Sequence, residues 1–159
     1  MEPPSKHRIH LVEETDFRLD TTPLRQGVLF ALDAEGVPPA EVVVLLADDE
    51  RIRGLNRDFR GIDEPTDVLT FPNCEGASGD LAIAVPYAAR QASARGVPLA
   101  TELAYLAIHG ALHLCGLDDA TEEEADEMRR LMSRAAVRAG LPPDEAWGSL
   151  LHEPEVVPC

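Results

Sequence analysis

The sequence predicts an α/β or α+β fold, one mixed sheet of about four strands packed with about five helices. Three observations predict it. Short apolar or alternating runs, read as strands, interleave with segments of helical spacing as far as Gly96. Two further helical segments then follow one another with no strand between them. The chain is 159 residues long and 45% hydrophobic, enough to bury the core of one domain but short for two.

Each element has its own signal. His7 to Glu13 contains the alternation of Ile9 and Leu11 and predicts the first strand. Thr22-Pro23 reads as an N-cap followed by proline at the first helical position, opening a helix through Leu24, Val28, Leu29 and Leu32 to Gly36. Val42-Val43-Val44-Leu45-Leu46 is a β-branched run, hence a buried strand. Ile52, Leu55, Asn56 and Phe59 recur at helical spacing. Asp67 to Phe71 predicts a strand that stops at Pro72, and Asn73 to Gly79 is a turn-rich loop. Leu81 to Val85 is the next strand, and Pro86 begins a helix that ends at Gly96. Thr101 to Ile108 is apolar and free of glycine and proline, which predicts helix. Thr121 and Glu124 have capping-box spacing and Glu122, Glu123 and Glu124 suit the positive end of a helix dipole. Met128, Leu131, Met132, Ala135 and Ala136 carry that last helix to Gly140. Residues 1–140 are thus read as one domain, and the Pro- and Glu-rich segment 141–159 as a frayed tail.

Composition excludes several classes. A formal charge of −15 argues against indiscriminate nucleic-acid or membrane binding and suits a cytoplasmic protein. Met1-Glu2-Pro3-Pro4 lacks the basic-then-apolar layout of a signal peptide. No apolar run approaches the length of a membrane span. Cys74, Cys115 and Cys159 are odd in number and widely spaced, which argues against a disulfide framework. Cys115 lies two residues from His113, points to another helix face, and is read as a buried helix residue.

The stretch with the most chemistry is His109-Gly110-Ala111-Leu112-His113-Leu114-Cys115-Gly116-Leu117-Asp118-Asp119. On a helix, His109 and His113 lie one above the other and both imidazoles point the same way. Gly116 can adopt the left-handed conformation that ends a helix, turning Asp119 back towards the rings. Three N/O ligands with room for a water make an open, catalytic zinc site. The bland alternative is a pair of hydrogen-bonded helix histidines with Asp119 merely capping the next helix. Asp118 competes as the carboxylate, or orients a histidine N–H from behind.

Positive charge is scarce, yet Arg51, Arg53, Arg57 and Arg60 cluster within ten residues. On charge pattern alone, a solvated face paired with Asp48, Asp49, Glu50 and Asp58 is the better reading. The functional reading is an arginine fork presented to phosphate, with Arg53 and Arg57 as further RNA contacts.

Residues 56–72, Asn56-Arg57-Asp58-Phe59-Arg60-Gly61-Ile62-Asp63-Glu64-Pro65-Thr66-Asp67-Val68-Leu69-Thr70-Phe71-Pro72, resemble the N-x-x-Y-R-x-x-D-x-P-T-D-V-L-S-F-P signature of the YbeY family. Gly79-Asp80-Leu81-Ala82-Ile83 is similar to its G-D-I/L-x-I strand, and residues 109–119 to its H-G-x-L-H-L-x-G-x-D-H metal motif. The resemblance implies an α+β fold, a mixed sheet with packed helices and a metal site at the end of a cleft. It implies a zinc-dependent single-strand endoribonuclease of ribosomal RNA maturation, acting at the 3′ end of the small-subunit RNA and in ribosome quality control. His109 and His113 match the first two metal ligands, and Arg60 matches the arginine facing the metal across the cleft. The implied partners are single-stranded or ribosomal RNA, the small ribosomal subunit and an Era-type GTPase.

The sequence departs from the pattern where Asp119 replaces the usual third histidine, Thr70 a serine and Phe59 a tyrosine. A carboxylate still binds zinc, but its charge leaves a bound water less acidified. Two other functions compete. His109 to Asp119 also has the ligand spacing of H-E-x-x-H-x-x-G-x-x-H metalloproteases, but Gly110 stands where their glutamate base belongs. The third reading is a non-catalytic ribosome-maturation factor stapled by its metal.

Overall fold

The computed structural model describes residues 5–148 and 156–159. Its elements run β1 (Arg8–Glu14), α1 (Thr22–Glu35), β2 (Glu41–Ala47), α2 (Asp49–Arg60), β3 (Val68–Pro72), β4 (Gly79–Ala84), α3 (Val85–Arg95), α4 (Leu99–Leu114) and α5 (Glu122–Arg138). Among the described residues five helices pack on a single four-stranded mixed sheet, an α+β fold. The strand order is β1-β2-β4-β3, with β1, β2 and β4 parallel and β3 antiparallel to β4. Parallel neighbours need a crossover, which α1 supplies between β1 and β2, and the α2–β3 segment between β2 and β4.

Alternation along the strands assigns the helices to faces. Val42, Val44, Leu46, Val68, Leu81 and Ile83 belong to the large core that also takes up α1, α4 and α5. Leu69, Ala82 and Ala84 point the other way, to Ile52 and Leu55 of α2. The helix α4 is the hub of the large core, and Leu103, Leu106, Ile108 and Leu112 are fully buried along it. Each such side chain contributes about 1.5–3 kcal/mol, so packing holds α4 in place whatever its polar end does.

Most boundaries agree with the sequence within two residues. Helix α1 starts one residue earlier than predicted, with Thr21 rather than Thr22 at the N-cap and no side-chain cap bond. On α5 the predicted cap forms: the Thr121 hydroxyl accepts from the Glu124 N–H at 3.1 Å.

The C-terminal segment departs from the expected frayed tail. The Tyr105 hydroxyl donates to the Pro142 carbonyl at 2.8 Å, and the Asp144 N–H donates to the Ser133 hydroxyl at 2.9 Å. Trp147 is only 2% exposed and belongs to the large core. At the chain end, Val156 bridges Thr70, and the Val157 N–H donates to the Thr70 carbonyl at 2.8 Å. Cys74 and Cys159 form a disulfide, with Cα atoms 6.0 Å apart, where cysteine spacing argued against disulfides. The physical reason is an unfinished surface: β3 is an edge strand whose open backbone groups accept a further segment, and an indole gains from burial. Residues 149–155 of the expected tail, and Met1–Pro4, lie outside the described residues.

Candidate metal centre

The end of α4 is built by a glycine reversal. Cys115, as C-cap, donates to the Ala111 carbonyl at 3.0 Å, and Leu117 N–H returns to the Leu112 carbonyl at 3.1 Å. Gly116 makes this possible with a φ of 93°, a left-handed value that a side chain would strain. The reversal brings Asp119 beneath the histidines: its carboxylate oxygens lie 3.6 Å from His109 Nε2 and 3.6 Å from His113 Nε2. The two Nε2 atoms are 3.2 Å apart.

The turn also settles a tautomer. His113 Nδ1 lies 3.0 Å from the Leu117 carbonyl, which can only accept, so Nδ1 carries the proton. Nε2 of His113 is left as an acceptor facing His109. The sequence offered Asp118 for orienting a histidine N–H, but for His113 a backbone carbonyl has that task. The Asp118 carboxylate instead accepts the Asp119 N–H at 2.8 Å and steadies the turn that delivers Asp119.

These donors fit a small divalent cation. Two ligand atoms each about 2.0–2.1 Å from a tetrahedral zinc lie roughly 3.3–3.4 Å apart. The two Nε2 atoms, 3.2 Å apart, come close to that value, and the Asp119 carboxylate reaches His109 through Oδ2 and His113 through Oδ1, each at 3.6 Å. One ligand atom from each of His109, His113 and Asp119 lies within 4.8 Å of the others. Cys115 is half-buried at the helix end, and burial, aided by the Glu35 carboxylate, pushes its thiol up to about 11. A neutral thiol is a poor competitor for the ion.

Gly110 packs where no side chain fits. A Cβ there would stand 2.7 Å from Leu81 Cδ2 and 3.2 Å from Thr70 Oγ1. The position that carries a protease's glutamate base is therefore pressed against the sheet. Gly110→Ala is expected to destabilise by about 1–3 kcal/mol, since α4 or Leu81 must shift. Thermal melting beside the wild type checks it, and an unchanged melting temperature would show that the contact relaxes freely.

The arginine loop lies around the edge strand. On β3, Phe71 meets Phe59 of α2 edge-on at 5.2 Å, while Thr70 faces Gly110 of α4. One strand thus separates the end of α2, with Arg60, from the histidine helix. Asn56 is buried and organises the loop, donating to the Glu64 carbonyl at 2.9 Å and accepting from Arg60 Nη1 at 3.1 Å. Asp67 is also buried, accepting from the Val68 N–H at 2.7 Å and from Gln91 Nε2 at 3.1 Å. Arg53 pairs with Asp63 at 2.8 Å and Arg57 with Asp58 at 3.1 Å, while Arg51 reaches Glu14. The charge-paired face expected from pattern is present, with partners from outside the helix as well.

Sequence reasoning missed a buried group behind the histidines. Trp147 lies with its ring centroid 5.3 Å from that of His109, and its Nε1–H donates to Glu102 Oε1 at 3.1 Å. Glu102 is fully buried in α4; desolvation raises its carboxyl above the usual range, with Arg95 and the indole N–H opposing. A carboxylate inside an otherwise apolar helix, and the sole tryptophan of the chain, were the available signals.

Residues 12–139 match the family described as Endoribonuclease YbeY. The chain belongs to this family. An Endoribonuclease YbeY of Rhodopseudomonas palustris (strain CGA009) is 45% identical over 121 residues, 70% of this chain and 63% of the relative. The match thus spans less than two thirds of that relative's length. One from Desulforamulus reducens is 39% identical over 145 residues, covering 83% of this chain and 95% of the relative. The solution structure of TM1509 from Thermotoga maritima is similar in fold, with a TM-score of 0.63 and 30% identity. That similarity covers 84% of this chain and 88% of the other. Trp147 and the Cys74–Cys159 disulfide partner at the chain end lie beyond the residues matched to the family.

Proposed function

We propose that this chain is a zinc-dependent endoribonuclease that cuts single-stranded RNA in ribosomal RNA processing, at the 3′ end of the small-subunit RNA, and in ribosome quality control. The observation that supports it most is the convergence of His109 Nε2, His113 Nε2 and the Asp119 carboxylate at separations suited to one zinc ion. Membership of an endoribonuclease family directs that site to RNA.

His109, His113 and Asp119 would hold the ion. Bound there, it supplies Lewis acidity at a phosphate and a more acidic water. The protein's own part is orientation and charge. The Leu117 carbonyl keeps His113 in the ligating tautomer, and the Asp118-braced turn presents Asp119. Arg60, steadied by Asn56, grips phosphate oxygens and offsets the negative charge that builds on them. Arg53 and Arg57 can exchange their exposed carboxylate partners for RNA phosphates, because surface ion pairs are worth at most about 1 kcal/mol.

With a net charge of −15, non-specific RNA affinity is weak, since phosphate neutralisation supplies most of it. Orientation by the small ribosomal subunit and by an Era-type GTPase fits that balance. The proposed location is the cytoplasm, and no described helix is long and apolar enough to cross a membrane.

The test is zinc content and single-stranded RNA cleavage, before and after EDTA. Stoichiometric zinc and cleavage that EDTA abolishes, with helical content retained, are expected of an open site. Unfolding on metal removal would favour the stapled, non-catalytic factor, and cleavage that survives EDTA would sink the metal reading.

A further inference from the structure

We propose that Trp147 is a positioning residue for His109, brought to the metal helix by chain that lies beyond the part matched to the family. This rests on the metal reading above.

The geometry begins on α4. Tyr105 and His109 are four residues apart and share a helix face. The indole of Trp147 lies along that face, stacked on Tyr105 at 6.0 Å and tilted 49° against His109 at 5.3 Å. It forms a flat wall for an imidazole whose Nε2 meets His113 and Asp119 on the ligand side.

The wall is itself fixed. Glu102 accepts the indole N–H at 3.1 Å, and Arg95 lies over the indole face at 5.2 Å. Arg95 also approaches Glu102 at 3.5 Å and donates to the Gly148 carbonyl. Pro142 and Asp144 anchor the chain leading in, through Tyr105 and Ser133. One buried cluster therefore links the C-terminal segment to a ligand ring, while the other ring is held by the Leu117 carbonyl. Each imidazole has its own support.

A ligand fixed before the ion arrives loses less freedom on binding, so the support appears as affinity. Groups placed behind metal ligands typically change affinity about 10–100-fold when removed. Trp147→Leu, which fills much of the space without a flat ring, is expected to weaken zinc binding within that range. Trp147→Phe keeps a ring against His109 and is expected to restore most of the affinity.

A merely structural tail is separated by rescue. If the indole acts through His109, Trp147→Phe recovers most of the cobalt affinity that Trp147→Leu loses, whatever each change does to the melting temperature of the metal-free protein. Equal affinity losses in the two variants would overturn the positioning role, as would wild-type affinity in Trp147→Leu. The wild type provides a measurement independent of folding in the variants. Trp147 is the sole tryptophan, so cobalt bound beside His109 is expected to quench the protein's indole emission. Stoichiometric cobalt binding without quenching would overturn the placement. A wild type that binds neither metal would instead overturn the metal reading and this inference with it.

Discussion

His113→Ala is expected to remove both stoichiometric zinc and RNA cleavage while leaving the protein folded. His113 contributes twice: Nε2 faces His109 and Asp119, and Nδ1–H is tied to the Leu117 carbonyl. Alanine removes a ligand outright, so the loss in metal affinity should exceed the roughly 100-fold ceiling of a change behind the ligands. The stability cost is small by comparison. A lost histidine–carbonyl bond is worth about 1 kcal/mol against a total of roughly 5–15 kcal/mol. His113 lies in the last turn of α4, and the buried residues from Leu103 to Leu112 anchor the helix without it. Metal analysis, circular dichroism and a cleavage gel on the same preparation read all three quantities. Full cleavage with wild-type zinc would remove His113 from the site and demote the cluster to helix packing.

What could be read in the chain and what could not divides by range. The His109–His113 spacing, the Gly116 stop and the Thr121 cap are local, and each forms as its sequence signal requires. Asp119 could be placed because a single glycine turn connects it to its partners. Backbone roles were invisible: nothing about leucine at 117 marks its carbonyl as the group that sets a histidine tautomer. Non-local pairings were invisible for another reason. Trp147 meets Glu102 across 45 residues and Cys74 meets Cys159 across 85, separations that no periodicity encodes. A Pro-rich segment was therefore read as frayed although its described parts pack against α4 and the β3 edge. The arginine cluster was legible as a charge pattern, but that Arg53 pairs with Asp63 of the following loop depended on the path of that loop.

Arg60→Ala is expected to lower the cleavage rate by about 10²–10³-fold, the usual cost of removing one preorganised donor to a developing oxyanion. Zinc content should not change. Arg60 ends α2, packed on the opposite sheet face from α4, and β3 stands between it and the histidines. Folding should survive as well. Asn56 loses the Arg60 donor but keeps its bond to the Glu64 carbonyl, so the loop from Gly61 to Asp67 retains its internal support. Arg60→Lys separates charge from shape: it keeps the cation but not the planar fork, and should recover only part of the rate. Arg53→Ala gives the contrast, since that side chain is exposed and already paired with Asp63. Its loss should raise KM modestly, more so at low salt, and leave kcat close to wild type. If Arg60→Ala cleaved RNA at the wild-type rate, phosphate charge would be met by the metal alone. The loop between Gly61 and Asp67 would then be a structural link between α2 and β3 rather than one wall of the site.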